Sequence, residues 1–425
     1  MLPHRNRLRP ISLAVFLAAA APAGAAEYVP GEVLVRHEGE AIGQVKELKG
    51  GQSVPELAAK LRRKPGVVSA VPNYKARASV SWNDPGRSGE PGGWASLQWN
   101  FIGDASVNAP EAWDLARAAN GGGGRGVVVA VVDTGVAYER RGRFRRAPDL
   151  RRRTFVPGYD FVDDDKHPND EYGHGTHIAG TIAQATNNGK GVTGLAYRAR
   201  IMPVRVLDEF GEGDSRAIAR GVRYAAKHGA DIINLSLEFP PGVTKREVPD
   251  IIRAIRFAHR KGVLVVAAAG NEADARVAYP ARARYAISVG ATTEHQCQAN
   301  YSNSGRGLDI SAPGGGDDAP NSDNPRDEQN CNSGLSGRDI FQQTFVNNPR
   351  RFSLPRLYQG TSMAAAHVSG TAALVLSTRR LGRDPSPGQV TSHLRATARD
   401  LGPEGYDTRY GHGLLDAAAA LRSSG

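Results

Sequence analysis

An α/β fold with a mostly parallel central sheet flanked by helices is what this chain predicts, and three observations carry it. Near-continuous apolar runs recur at 126–132, 200–207, 231–237, 263–269, 286–290 and 308–311. Strands buried on both faces read as such runs, whereas strands with one wet face alternate. Between the runs, Ile218, Val222 and Ala225 fall at helical spacing, as do Ile251, Ile255 and Ala258 before a stop at Gly262. The polar residues Asp133 and Asn271 sit just past two of the runs. That is where open parallel sheets gather their chemistry.

In chain order, Arg5, Arg7 and Arg9 precede an apolar run at 11–20 and small residues through Ala26. This layout predicts a secretory signal over residues 1–26, and the run is shorter than the roughly 20 apolar residues that span a bilayer. The mature protein is expected to be secreted or periplasmic and free of the membrane. Residues 27–80 read as a small α+β unit, with strands at 32–36 and 67–71 and a helix at 54–61. Residues 81–97, rich in Gly, Pro, Ser and Asp, read as a linker and processing region. The α/β domain is expected over 98–425. Within it, 313–357 is polar and aperiodic, the pattern of a long functional loop.

Composition narrows the function classes. A chain of 425 residues with 40% hydrophobic residues can build a large core. Its formal charge of +11 counts the three signal arginines, and the basic clusters at 140–146 and 151–153 lack interleaved aromatics or a reader motif. They read as solvated surface, and no nucleic acid is expected. The two cysteines, Cys297 and Cys331, are expected to pair in an exported chain, free buried thiols being the alternative. Neither has the helix-start context or matched base of a catalytic thiol.

The chemistry centres on Gly360-Thr361-Ser362-Met363-Ala364, where a glycine turn and a serine open an Ala-rich helix. Backbone N–H groups at a helix start can stabilise a developing anion, but a serine hydroxyl also needs a base and an orienting carboxylate. His174, in Gly173-His174-Gly175-Thr176-His177, and Asp133, in Asp133-Thr134-Gly135, supply them. Asn271 supplies an amide donor. Each alone reads equally as a turn or cap residue; the four together, in the order Asp, His, Asn, Ser, read as acyl-transfer machinery. His174 and His177 at i, i+3 invite zinc, but no third-ligand motif accompanies them. The Gly121–Gly126 match to a dinucleotide fingerprint precedes a strand instead of following one, and no G-x-S-x-G surrounds Ser362.

Over roughly residues 98–421 these motifs resemble the subtilisin-like serine peptidases, the subtilases. The resemblance implies a subtilisin-like three-layer fold. It also implies an Asp133-His174-Ser362 triad, and an oxyanion hole from Asn271 and the Ser362 N–H. It places extended substrate along Gly211 to Gly213 and Ser236-Leu237, with Gly270 and Glu272 near the primary pocket. Glu238 stands where the family usually has glycine, and Ala366 where it usually has proline. Glu238 and Glu272 would favour cleavage after Lys or Arg if they line the pocket, and would be solvated surface groups otherwise.

The resemblance further implies structural calcium, held by Gln98, Asp149, Asn188 and the carbonyls of Thr186, Lys190 and Val192, with no cofactor for catalysis. Asp163, Asp164, Asp165 and Asp170 would form a second site or a solvated acidic turn. Residues 27–80, through Val29 to Val35 and Gly66 to Asn73, are similar to the family's propeptides. They imply an intramolecular inhibitor and folding aid removed on activation. The expected protein is a monomeric secreted serine endopeptidase acting on polypeptides. A family-like binding protein without turnover is the other class.

Overall fold

The computed structural model describes residues 28–48, 53–74, 82–119, 121–320, 331 and 335–422. The expected signal, 1–26, and the first residue of the expected processing region lie outside them. The chain divides into two units, residues 1–80 and 81–425.

In the first unit, β1 (Tyr28–His37) pairs antiparallel with both β2 (Gln44–Glu47) and β3 (Val67–Tyr74). Helix α1 (Val54–Arg62) opens on a reciprocal cap, Ser53 accepting the Glu56 N–H while Glu56 accepts the Ser53 N–H at 2.8 Å. Its face of Val54, Ala58 and Leu61 closes a small core with Val33, Val35 and Ala70. All four residues of β2 are exposed, so no apolar pattern in the sequence announces that strand.

In the second unit, residues 82–97, read as a linker and processing region, carry two buried tryptophans among their Gly and Pro punctuation. Trp82 and Trp94 are buried against Trp113, with ring centroids 4.6 and 5.6 Å away. Trp94 lies in α2 (Trp94–Leu97) and Trp113 in α3 (Ala109–Ala118).

The strands are β4 (Val128–Asp133), β5 (Tyr159–Asp160), β6 (Arg200–Arg205), β7 (Ile232–Leu235), β8 (Leu264–Ala268), β9 (Ala286–Thr292) and β10 (Ile310–Pro313). They form one parallel sheet in the order β10-β9-β8-β7-β4-β6-β5. Side chains alternate between two cores. Val129, Val131, Ile232, Val266 and Ala268 point into one; Ala130, Val132, Ile233, Val265 and Ala267 point into the other. The first core is covered by α4 (His174–Ala183) and α7 (Thr361–Ser377), the second by α5 (Ser215–Lys227) and α6 (Pro249–Arg260). This is a three-layer α/β fold with helices on both faces of the sheet. The small helices α8 (Pro387–Ala396) and α9 (Ala417–Leu421) close the chain.

From β4 the chain runs out to β6 on one side and later to β7 on the other. The strand order therefore reverses at β4, and a crevice opens past the carboxyl ends of β4 and β7. Cys297 and Cys331 are joined in a disulfide, Cα atoms 5.5 Å apart, tying the segment after β9 to the long loop. Among the described residues no helix is long and apolar enough to cross a membrane.

Candidate active site

Asp133 closes β4 fully buried, so its carboxylate must find donors inside the protein. Its Oδ1 accepts from the Thr134 N–H at 2.7 Å and lies 2.7 Å from His174 Nδ1. A proton on Nδ1 leaves Nε2 as the basic nitrogen. His174 is the first residue of α4, and Gly173 before it has φ 102°; a Cβ there would sit 2.4 Å from the Phe345 carbonyl. Only glycine turns the chain into this helix at that approach.

Asp170, weighed above as a cation ligand, has another task. It is buried and accepts from Thr134 Oγ1, Thr176 Oγ1 and the N–H groups of Tyr172, Gly173 and Thr176, at 2.5–3.0 Å. It stitches the end of β4 to the start of α4. Burial lowers the His174 pKa, but the charge and hydrogen bond of Asp133, with Asp170 behind, outweigh it and hold the imidazole above its ordinary value. His177 faces away, donating to the Ile340 carbonyl at 2.9 Å, and burial drives its pKa down to about 3. The two histidines are therefore not a joint ligand pair.

Ser362 is the second residue of α7, so its N–H has no intrahelical partner. Its Oγ donates to the Ser236 carbonyl at 3.2 Å, and Ser236 Oγ donates back to the Ser362 carbonyl at 2.8 Å. Asn271 follows β8. Its Oδ1 accepts from the Thr361 N–H at 2.8 Å and from Thr361 Oγ1 at 3.0 Å, which fixes the amide next to the serine. Thr361 escaped the sequence reading because the contact joins segments 90 residues apart.

His174, Ser362 and Asn271 line one cleft of about 630 Å³ together with Thr134, Gly211, Gly213, Ser236, Leu237 and Glu238. Asp133 stands behind His174. The expected pocket residues Gly270 and Glu272 do not reach this wall. Gly270 lies behind it, its N–H donating to Thr361 Oγ1 at 3.2 Å. Glu272 Oε2 is taken by the Asn271 N–H and Asn303 Nδ2, at 3.1 and 3.0 Å. Glu238 does reach the wall, and its Oε1 accepts from Asn271 Nδ2 at 3.0 Å.

The expected cation loop is built differently. Asp149 is buried, accepting from Asn188 Nδ2 at 2.6 Å and Gln184 Nε2 at 2.9 Å. Burial, opposed only by these two amides and a distant Arg151, pushes its carboxyl up to about 7. Asp84, absent from the sequence reading, is also buried and pushed up; it accepts from the N–H groups of Asn187 and Asn188 at 2.6 and 3.0 Å. Gln184 Oε1 is buried without a protein partner. Two desolvated carboxylates and an unused amide oxygen are hard-oxygen chemistry that suits a divalent cation. Gln98 does not join them, because Thr193 takes both ends of its amide at 2.8–2.9 Å. Among the described residues no group of three or more His, Cys, Asp or Glu side chains is arranged to hold a metal. Nor do the other acidic residues gather, since Asp163 pairs with buried Arg205 at 2.7 Å and Asp164 with Arg220 at 3.1 Å.

A parallel sheet whose carboxyl ends gather an aspartate, a histidine, a serine and an amide around one cleft is the scaffold of a serine peptidase, and comparison makes the class specific. The Subtilase family model matches residues 124–413. Subtilisin Savinase of Lederbergia lenta is 37% identical over 77% of this chain and 99% of its own length. Thermitase of Thermoactinomyces vulgaris is 33% identical over 75% and 95%. A solved protease from Pseudoalteromonas arctica superposes with TM-score 0.62 at 31% identity, covering 80% of this chain and 99% of that one. The chain belongs to the subtilase family and is a serine-type endopeptidase.

Proposed function

We propose that this chain is exported as a zymogen and hydrolyses polypeptides through an acyl-enzyme on Ser362. His174 Nε2 takes the Ser362 hydroxyl proton as Oγ bonds to the scissile carbonyl carbon, then gives it to the leaving amine as the C–N bond breaks. Water repeats the cycle to release the acid. Asp133 holds the Nδ1 tautomer and steadies the imidazolium, while Asn271 Nδ2 and the Ser362 N–H receive the oxyanion. The observation that carries this reading is the 2.7 Å bond from His174 to buried Asp133, in a cleft that also holds Ser362.

Substrate fits as an extended strand between the edges at Gly211 to Gly213 and Ser236-Leu237, where main-chain pairing tolerates varied sequences. Residues 27–80 act as the inhibitory propeptide, cut away on maturation, and 1–26 as the export signal. Calcium, when bound, adds stability and no chemistry. Asp149, Asn188 and the carbonyls of Thr186, Lys190 and Val192 would hold it, and the burial of the Asp149 carboxyl with no cationic hydrogen-bond partner supports that assignment.

A fluorophosphonate probe tests the reading on processed protein. Stoichiometric labelling of Ser362 with loss of peptide hydrolysis is expected. A folded, processed protein that does not react would be a family-like binder instead.

A further inference from the structure

Glu238 puts a carboxyl on the cleft wall where the family usually has glycine. Asn271 cannot turn, because Thr361 pins its Oδ1 with two hydrogen bonds, so the direction of Nδ2 is fixed. That Nδ2 donates to Glu238 Oε1 at 3.0 Å. The other carboxyl oxygen, Oε2, is buried without a protein partner and lies against Gly270, where a Cβ would come within 2.5 Å of it. The carboxyl is thus wedged between the oxyanion donor and the backbone just before it.

We propose that Glu238 is a positioning residue that limits turnover at alkaline pH, by holding the amide Asn271 must offer to the reacting carbonyl oxygen. This rests on the peptidase reading above. When ionised, Glu238 competes for Nδ2 and places a negative charge beside the point where the carbonyl oxygen becomes an anion. Both effects raise the barrier selectively in the transition state. When protonated it is a weaker acceptor and repels nothing.

The groups that face Glu238 set where this change falls. Glu272, on the same loop as Asn271, faces the Glu238 carboxyl directly, and Tyr172, His174 and Glu212 line the same cleft. No Lys or Arg is among the described residues of the cleft wall. Burial first, and the Glu272 charge second, push the Glu238 carboxyl up to about 7, the range in which an imidazole base also works. The base loses its proton as the pH rises through neutrality, and over the same span Glu238 gains the charge that opposes the oxyanion.

The test compares wild type, Glu238→Gln, which keeps an acceptor without the charge, and Glu238→Gly, which removes both. Processed full-length enzyme is used, with active sites counted by fluorophosphonate labelling. On a substrate cleaved after Leu or Phe, the kcat ratio of either variant to wild type should rise about tenfold between about pH 6 and about pH 8. A ratio flat in pH overturns the proposal, as do variants slower at every pH, which would make Glu238 a mere support for Asn271. If wild-type Ser362 does not label, the peptidase reading falls and this proposal with it. If it labels and the ratio is flat, only the role of Glu238 falls.

Discussion

Two buried aspartates, Asp133 and Asp149, face opposite fates in one domain. Both are almost fully withdrawn from water and both accept hydrogen bonds from two neighbours. Asp133 is bonded to an imidazole that can take up positive charge when a proton arrives. Asp149 accepts hydrogen bonds only from neutral amides, and burial, with the Asp84 charge nearby, raises its carboxyl to about 7. A buried carboxylate beside a titratable base has a group that can balance its charge, whereas one among amides does not. The difference lies in the partner, since the burial is shared.

The largest effect that would break this comparison is at the catalytic end. Ser362→Ala or His174→Ala should cost about 10⁶-fold in kcat, the scale measured in subtilisin, a member of the same family. The protein should then accumulate with residues 27–80 attached, read by mass spectrometry of secreted protein from a host without other extracellular proteases. Normal trimming there would remove self-processing from the account. Asp133→Asn should cost about 10⁴-fold, as the equivalent change does in another serine peptidase. Its pH profile sharpens the point. The acid limb of kcat/KM should lie above the ordinary imidazole value in wild type, because the base must be deprotonated and Asp133 holds its pKa up. Without that charge the limb should move to lower pH, and an unmoved limb would deny Asp133 its electrostatic role.

Asn271→Ala should cost about 10²- to 10³-fold in kcat with KM little changed, again a magnitude known from subtilisin. Full turnover would place the oxyanion elsewhere. At the other end, Asp149→Ala should leave kcat intact while abolishing the protection that millimolar calcium gives against heat inactivation. Equal half-lives with calcium and with chelator in wild type would leave Asp149 an uncompensated buried acid. The smallest effect concerns selectivity. Changing both Glu238 and Glu272 to Gln should lower cleavage after Lys or Arg relative to Leu or Phe by a few-fold, mostly through Glu238, since Glu272 is turned to Asn303. An unchanged ratio in a peptide-library digest would separate both carboxylates from the primary pocket.

The sheet was legible because strands covered on both faces need apolar residues at every position, and that pattern survives in a single sequence. β2 and β5 were not. The first is wholly exposed, and the second is two residues long beside buried Arg205. The placement of Asp133 at a strand end and of His174 and Ser362 at helix starts was legible because such contexts are local. The groups that aim them were not: Asp170 and Thr361 act through contacts that only the folded chain creates. Residues 82–97 make a related point. Turn-forming composition describes the path of the backbone, and it says nothing of whether the tryptophans along that path are buried.

Fifteen of the seventeen residues of α7 are buried, and the helix packs against β7, β8, β9 and β10. An endopeptidase is itself a polypeptide, and its cleavage by a sister molecule needs a strand-like segment to enter that molecule's cleft. Because α7 has no exposed face from which to fray, its amides should exchange with solvent only when the whole domain opens. The segment bearing Ser362 would then be the last part of the molecule that a sister enzyme could digest, and resistance to self-destruction would follow from the same burial that holds Ser362 in place.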